Sequence, residues 1–397
     1  VAARWAAQKL LRGVRSGELV VLEGDRERRF GAGEARATVR IHSQRAWALL
    51  CRGSRGLAEG YAEGLWDTPD PAAVIALAAR NAHRLDEARL MLAFALQPAQ
   101  RVRAFARRGG RRRNRKDIAA HYDLGDELFE LMLDPTMSYS CAVFDRPDMN
   151  LQEASLSKLE RVCRKLGLHA GHHVIEIGGG WGGFALHAAR THGCRVTTTT
   201  ISANQYAYAR EKVRREGLQD LVTVLDSDYR DLRGRYDRLV SIEMIEAVGW
   251  RNFDLFFERC SGLLASDGAM LLQAITVADA AYELEKAGRS FINTYIFPNG
   301  CLPSRRAIRR SLATATDMRI LDVEDISPHY VETLRRWRES FTRNASRLAR
   351  LGYDERFRRM WTLYLAYCEA GFAERRIFDF QILAGKPRYA PAGALRH

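Results

Sequence analysis

Between about residue 150 and residue 276 the apolar positions of this chain change period repeatedly. Spacings of three and four predict a helix over 151–166 that ends at Gly167, and a short apolar run then predicts a strand over 173–177. A helix over 184–192, a strand over 195–200 and a helix over 204–216, stopped by Gly217, come next. Strands over 221–225 and 238–242, a helix over 252–264, a turn at Ser266-Asp-Gly268 and a strand over 269–276 complete the series. Strands alternating with helices over short connections predict an α/β architecture, a parallel sheet covered by helices on both faces. Ligands of such sheets bind beyond the C-terminal strand ends, where Gly178, Ser202, Asp228 and Glu246 fall.

The flanking regions read differently. Residues 1–105 mix short strands (19–22, 38–41) with helices (47–51, 71–81, 87–96), and residues 60–67 form a glycine-punctuated aromatic loop between them. This predicts a smaller N-terminal α+β domain, followed by a basic linker over 106–117 and a main domain over 118–397. Beyond the sheet, amphipathic helices are predicted over 331–344 and 354–372, with a rigid turn over 297–303. No internal repeat is present.

At 397 residues, 47% apolar and 28% charged, the composition is that of a globular protein with room for two or three domains. No apolar run reaches the roughly 18 residues of a spanning helix, and the N-terminus carries no apolar signal core. The seven cysteines are odd in number and never in C-x-x-C spacing, which points to reduced thiols in a cytosol and against a disulfide framework or a zinc site. No metal is expected. The net charge of +14 is uneven: residues 1–117 hold 24 Lys/Arg against 12 Asp/Glu, and the remainder 38 against 36. The positive field peaks over 107–116, a run suited to phosphates of an anionic membrane surface or of nucleic acid, or else a solvated linker.

Four segments carry candidate chemistry. Val174-Ile-Glu-Ile runs into five glycines by residue 183, and Gly178, Gly180 and Gly183 match G-x-G-x-x-G between a strand and a helix. The pattern fits nicotinamide and S-adenosylmethionine (SAM) enzymes alike. A nicotinamide site wants an acid about 20 residues on; here the next strand ends in Thr200-Ile-Ser-Ala-Asn-Gln205, with no carboxylate. The second segment, 121–144, brings Tyr139, Ser140 and Cys141. The third, Asp226-Ser-Asp-Tyr-Arg-Asp231, can set an acid and an aromatic beside an adenine, or be an ordinary polar loop. In the fourth, 241–249, Glu243 and Glu246 leave a strand in apolar company, where carboxylates need a partner or a task.

Together with His121-Tyr-Asp123, Gly64-Leu-Trp-Asp67 and Phe297-Pro-Asn-Gly-Cys-Leu-Pro-Ser304, these phrases resemble the cyclopropane-fatty-acyl-phospholipid synthases and the related mycolic-acid synthases and fatty-acyl methyltransferases. The likeness covers about 115–385. It implies a class I SAM-dependent methyltransferase fold, Rossmann-like with a seven-stranded, mostly parallel sheet, and a lipid-docking N-terminal domain. By motif position Tyr139 and Ser140 would meet the methionine part of SAM, and Gly178 and Gly180 its backbone. Thr200, Ser202 and Gln205 would hold the ribose region, Asp228 and Tyr229 the adenine. The resemblance further implies bicarbonate as catalytic base, held by Cys141, Glu246, the backbone near Ile275, and Tyr330, with Gln273 beside it.

The activity implied is transfer of a methyl carbon from SAM to the double bond of an unsaturated phospholipid acyl chain, through a carbocation-like species that loses a proton. Loss from the added methyl closes a cyclopropane; a hydride shift first leaves a methylene branch, which a reductase partner would finish. Two departures bear on this choice: Ala247 and Gln273 stand where the family often has histidine. The expected setting is the cytoplasm, peripheral at the inner membrane face, with two-fold assembly through the N-terminal unit or C-terminal helices. A nucleic-acid methyltransferase would want an Asn/Asp-Pro-Pro-aromatic segment after the strand at 238–242, and the chain has Glu-Met-Ile-Glu-Ala, so no nucleic-acid partner is expected. A silent lipid-binding protein that retains the fold, and a small-molecule methyltransferase, are the remaining rivals.

Overall fold

The computed structural model describes residues 2–50, 52–81, 124–287, 290–298 and 300–390. The predicted helix over 87–96, the basic run over 107–116 and His121-Tyr-Asp123 lie outside the described residues. The described parts of Val1–Ala106, with Ala287–Ile296 and Leu334–Arg376, form one compact unit; those of Arg107–Lys286, Phe297–Thr333 and Ile377–His397 form another.

In the first unit, β1 (Gly17–Glu23) pairs antiparallel with β2 (Arg26–Ala32) and parallel with β3 (Arg36–Ile41), which pairs with β4 (Trp66–Asp67). The charged sequence Arg-Glu-Arg-Arg hides β2 from a hydrophobicity reading. It is an exposed edge strand, set by a hairpin at Gly24, whose φ is +55°. Residues 60–67 are not a loop throughout. The helix Gly53–Ala62 runs into them, and Trp66 is buried with its indole N–H donating to the Leu57 carbonyl at 3.0 Å.

The second unit is built on seven strands: β5 (His173–Ile177), β6 (Arg195–Thr200), β7 (Val222–Asp226), β8 (Tyr236–Ile242), β9 (Leu264–Val277), β10 (Arg319–Asp325) and β11 (Ile377–Gly385), in the order β10-β11-β9-β8-β5-β6-β7. Neighbours from β7 to β9 are parallel, whereas β11 runs antiparallel between β9 and β10. Alternate residues bury on opposite faces. Ile175, Leu239, Met270 and Phe380 pack with Phe253, Phe256 and Phe257, while Val174, Val196, Val240 and Leu271 pack with Leu159, Val162 and Phe184. The turn predicted at 266–268 is instead a bulge within β9, where pairing jumps from Tyr236–Leu264 to Arg238–Ala269.

Local signals account for the helix ends. Asn150 and Glu153 form a reciprocal capping box on the helix Leu151–Leu166, and Gly167 ends it in the left-handed region at φ 59°. No helix among the described residues is long and apolar enough to cross a membrane.

Candidate active site

The C-terminal ends of β5, β6 and β8 open onto one cleft. Of the candidate cofactor residues, Tyr139, Ser140, Gly178, Gly180, Thr200, Gln205, Asp228 and Tyr229 line it. Ser202 does not; it caps the helix Ala203–Arg215, accepting from the Gln205 backbone N–H at 3.4 Å. The glycine loop owes its shape to backbone that side chains rarely adopt: φ is +83° at Gly178 and +55° at Gly180. At Gly179 the constraint is space, because a Cβ there would lie 1.8 Å from Thr198 Oγ1 and 2.8 Å from Glu176 Oε2. Glu176 is buried, accepts from Thr198 Oγ1 at 2.6 Å, and has its pKa pushed up by burial to about 7.

Contacts between the cleft residues fix their side chains. Thr200 Oγ1 donates to Gln205 Oε1 at 2.8 Å. The Arg230 guanidinium donates twice to the Asp228 carboxylate, at 2.8 and 2.5 Å, and Tyr229 stacks edge-on against Phe256. Tyr139 packs edge-on against Phe129, which also meets Trp181, and the Trp181 indole N–H donates to Asp126 Oδ1 at 2.7 Å.

The catalytic candidates gather behind one side chain. Glu243 lines the cleft, and its carboxylate accepts from the Cys141 backbone N–H at 2.8 Å, the Gln273 amide at 2.7 Å and the Tyr330 hydroxyl at 2.6 Å. Glu246 lies alongside, accepting from the Ile275 backbone N–H at 2.5 Å, while its Oε2 is buried with no protein partner. Gln273 also donates to Asp379 Oδ2 at 3.1 Å and accepts from the Gln381 amide at 3.1 Å. Those three contacts need two amide hydrogens and a carbonyl, which a neutral histidine with two ring nitrogens cannot supply. Cys141, Gln273 and Asp379 are fully buried.

Burial dominates the electrostatics. It raises the Cys141 thiol well above its ordinary range, so the thiol stays protonated; what Cys141 offers Glu243 is its backbone. The Asp379 carboxyl is pushed well up by burial and by the charge of Glu243. Burial, then the charge of Glu243, pushes the Glu246 pKa up to about 8. Lys158, itself buried, donates to Ser140 Oγ at 2.8 Å, and its positive field acts on Cys141, Glu243 and Asp379.

Lys158, Asp379 and Gln381 are absent from the sequence candidates, and Glu243 is noted there only as one of two carboxylates. Two signals were present. Lys158 falls among the buried positions Ala154, Leu159 and Val162 of its helix, and Asp379 and Gln381 alternate on one face of an otherwise apolar strand. Among the described residues, Glu160, Cys163, His187 and His192 also cluster; both histidines hydrogen-bond Glu160 Oε2, at 3.2 and 3.0 Å, and none of the four lines the cleft.

The strand order, with its one antiparallel insertion, and a glycine turn at the end of β5 define a class I SAM-dependent methyltransferase. Residues 110–382 match the family described as mycolic acid cyclopropane synthetase, and the chain belongs to that family. It is 38% identical over 352 residues to the tuberculostearic acid methyltransferase UfaA1 of Mycobacterium tuberculosis, covering 86% of this chain and 82% of that protein. It is 37% identical over 361 residues to the cyclopropane-fatty-acyl-phospholipid synthase of Escherichia coli K12, covering 88% of each. Among solved structures it resembles the mycolic acid cyclopropane synthase CmaA1 complexed with SAH and CTAB, with TM-score 0.64, 33% identity, and coverage of 68% of this chain and 98% of that one. The enzyme is a SAM-dependent C-methyltransferase.

Proposed function

We propose that this enzyme transfers the methyl carbon of SAM to the double bond of an unsaturated acyl chain in a phospholipid, with closure of a cyclopropane as the chain gives up a proton. One observation carries the reading: Glu243 lines the cleft and is also the hub of the buried polar cluster, so the cofactor cleft and the candidate catalytic residues adjoin at a single side chain. Bound SAM supplies an electrophilic methyl group. The residues of this chain orient it: Gly178 and Gly180 admit its backbone, Thr200 and Gln205 receive the ribose region, Asp228 and Tyr229 the adenine, Tyr139 and Ser140 the methionine end. The Tyr139 and Tyr330 rings can stabilise positive charge developing on the acyl chain.

A methylene-branched product is the second reading. The observation that supports it is the Gln273 network with Glu243, Asp379 and Gln381, which differs from the histidine-containing surroundings that the resemblance implies. That product would call for a reductase partner. The basic N-terminal residues serve as the dock on an anionic membrane surface, at about 1 kcal/mol per Lys or Arg near the lipid headgroups.

The test is incubation with methyl-labelled SAM and vesicles of monounsaturated or fully saturated phospholipid. Label entering the acyl fraction from unsaturated vesicles alone supports the reading. Label in headgroups, or equal label from both, opposes it.

A further inference from the structure

We propose that the Glu243 carboxylate is itself the proton acceptor of the reaction, in place of the bicarbonate that the resemblance implies; this rests on the acyl-methylation reading above. The residues assigned to bicarbonate do not fit it here. The Cys141 N–H, the Gln273 amide and the Tyr330 hydroxyl all donate to Glu243, and the Ile275 N–H donates to Glu246. A carboxylate and a bicarbonate present the same feature to such donors, two oxygens on one carbon sharing a negative charge. A second anion would have to displace Glu243 from these donors while standing beside its carboxylate.

The backbone gives independent support. Glu243 has φ +49°, in the left-handed region that residues with a Cβ rarely occupy. Strain of this kind persists where the surroundings over-determine it, and it concentrates at functional sites. Here it turns the end of β8 so that the side chain reaches both the cleft and its three donors. Burial raises the Glu243 carboxyl, which favours proton uptake, while its three donors and the charge of Lys158 hold that rise back.

The step balances without a further reagent. A C–H bond of the methylated, cationic acyl chain breaks, and its electron pair forms the C–C bond of the ring, or the C=C bond of a methylene. The proton goes to an oxygen of Glu243, discharging both the cation and the carboxylate. Loss of that proton to water, once product leaves, resets the site.

The experiment measures turnover in buffer stripped of carbon dioxide and in buffer with added bicarbonate, for the wild-type enzyme, Glu243→Gln and Glu243→Gly. The wild type is expected to turn over equally in both. Glu243→Gln keeps the shape without the basicity and should lose about 100-fold or more in turnover, with SAH affinity by calorimetry changing far less. Glu243→Gly suits the positive φ and empties the anion position, so it should be slow in stripped buffer and recover about tenfold or more with bicarbonate. A wild type that stalls without bicarbonate, or a Glu243→Gln enzyme at the wild-type rate, would overturn the assignment. A wild type that transfers no methyl in either buffer overturns instead the acyl-methylation reading, and this inference with it.

Discussion

The ammonium of Lys158 donates to Ser140 Oγ at 2.8 Å, both residues being buried, and through this contact a helix on one face of the sheet supplies positive charge to the carboxylates behind the cleft. Lys158→Met would keep the volume and remove the charge. Because burial already raises Glu243 and Asp379, both would be raised further, and the folded state would bind more protons than the unfolded chain to still higher pH. The variant should therefore lose about 3 kcal/mol of stability at pH 8 and markedly less at pH 5. Urea unfolding at the two pH values checks this; an equal loss at both would contradict the charge argument.

Glu246 makes a pH prediction of its own. Its folded pKa, raised from 4.5 to about 8, means that the folded state keeps a proton the unfolded chain releases. Stability from this group is thus fully present below about pH 4.5 and falls as pH rises toward 8, by up to about 5 kcal/mol. Glu246→Gln should flatten that decline and leave the variant the more stable protein at pH 8.5, as followed by denaturant midpoints. A wild type whose stability rises over this window would contradict the assignment.

Space rather than charge governs Gly179. A Cβ there meets Thr198 Oγ1 at 1.8 Å, so Gly179→Ala must shift the loop. It should cost about 1–3 kcal/mol and weaken SAH binding by about tenfold or more. Gly217→Ala is the control, since φ is +67° there with nothing within 4 Å of the added atom. It should cost about 1 kcal/mol and leave SAH affinity alone. Calorimetric titration of both variants distinguishes them; equal affinities would remove the steric argument.

What was legible in the sequence follows from how locally each feature is encoded. The ends of β5, β6 and the helix Leu151–Leu166 coincide with the sequence reading because short apolar runs, a glycine and an asparagine cap mark them. β11 is hidden from a hydrophobicity reading because Asp379 and Gln381 interrupt its apolar run, and Gln273 on the neighbouring strand hydrogen-bonds both. β10, like β2, is a charged edge strand without an apolar run to mark it. The cleft was legible motif by motif, whereas the convergence of Cys141, Gln273 and Tyr330 on Glu243 joins three distant segments and is a property of the fold.

Membrane docking is tested apart from chemistry. Reversing four of the arginines within 107–113 to glutamate removes roughly 1 kcal/mol or more of headgroup attraction per residue. Sedimentation with anionic vesicles should show binding reduced by about a thousandfold at low salt, with a smaller difference at high salt. Unchanged binding would remove the basic run from the docking surface.

The most direct test of the central claim is mass spectrometry of the acyl chains after incubation with methyl-labelled SAM and monounsaturated phospholipid vesicles. The account predicts labelled chains heavier by one CH2, with loss of reactivity toward alkene-specific reagents marking a ring and retained reactivity marking a methylene branch. Acyl chains of unchanged mass, in the presence of enzyme that binds SAH, would contradict it.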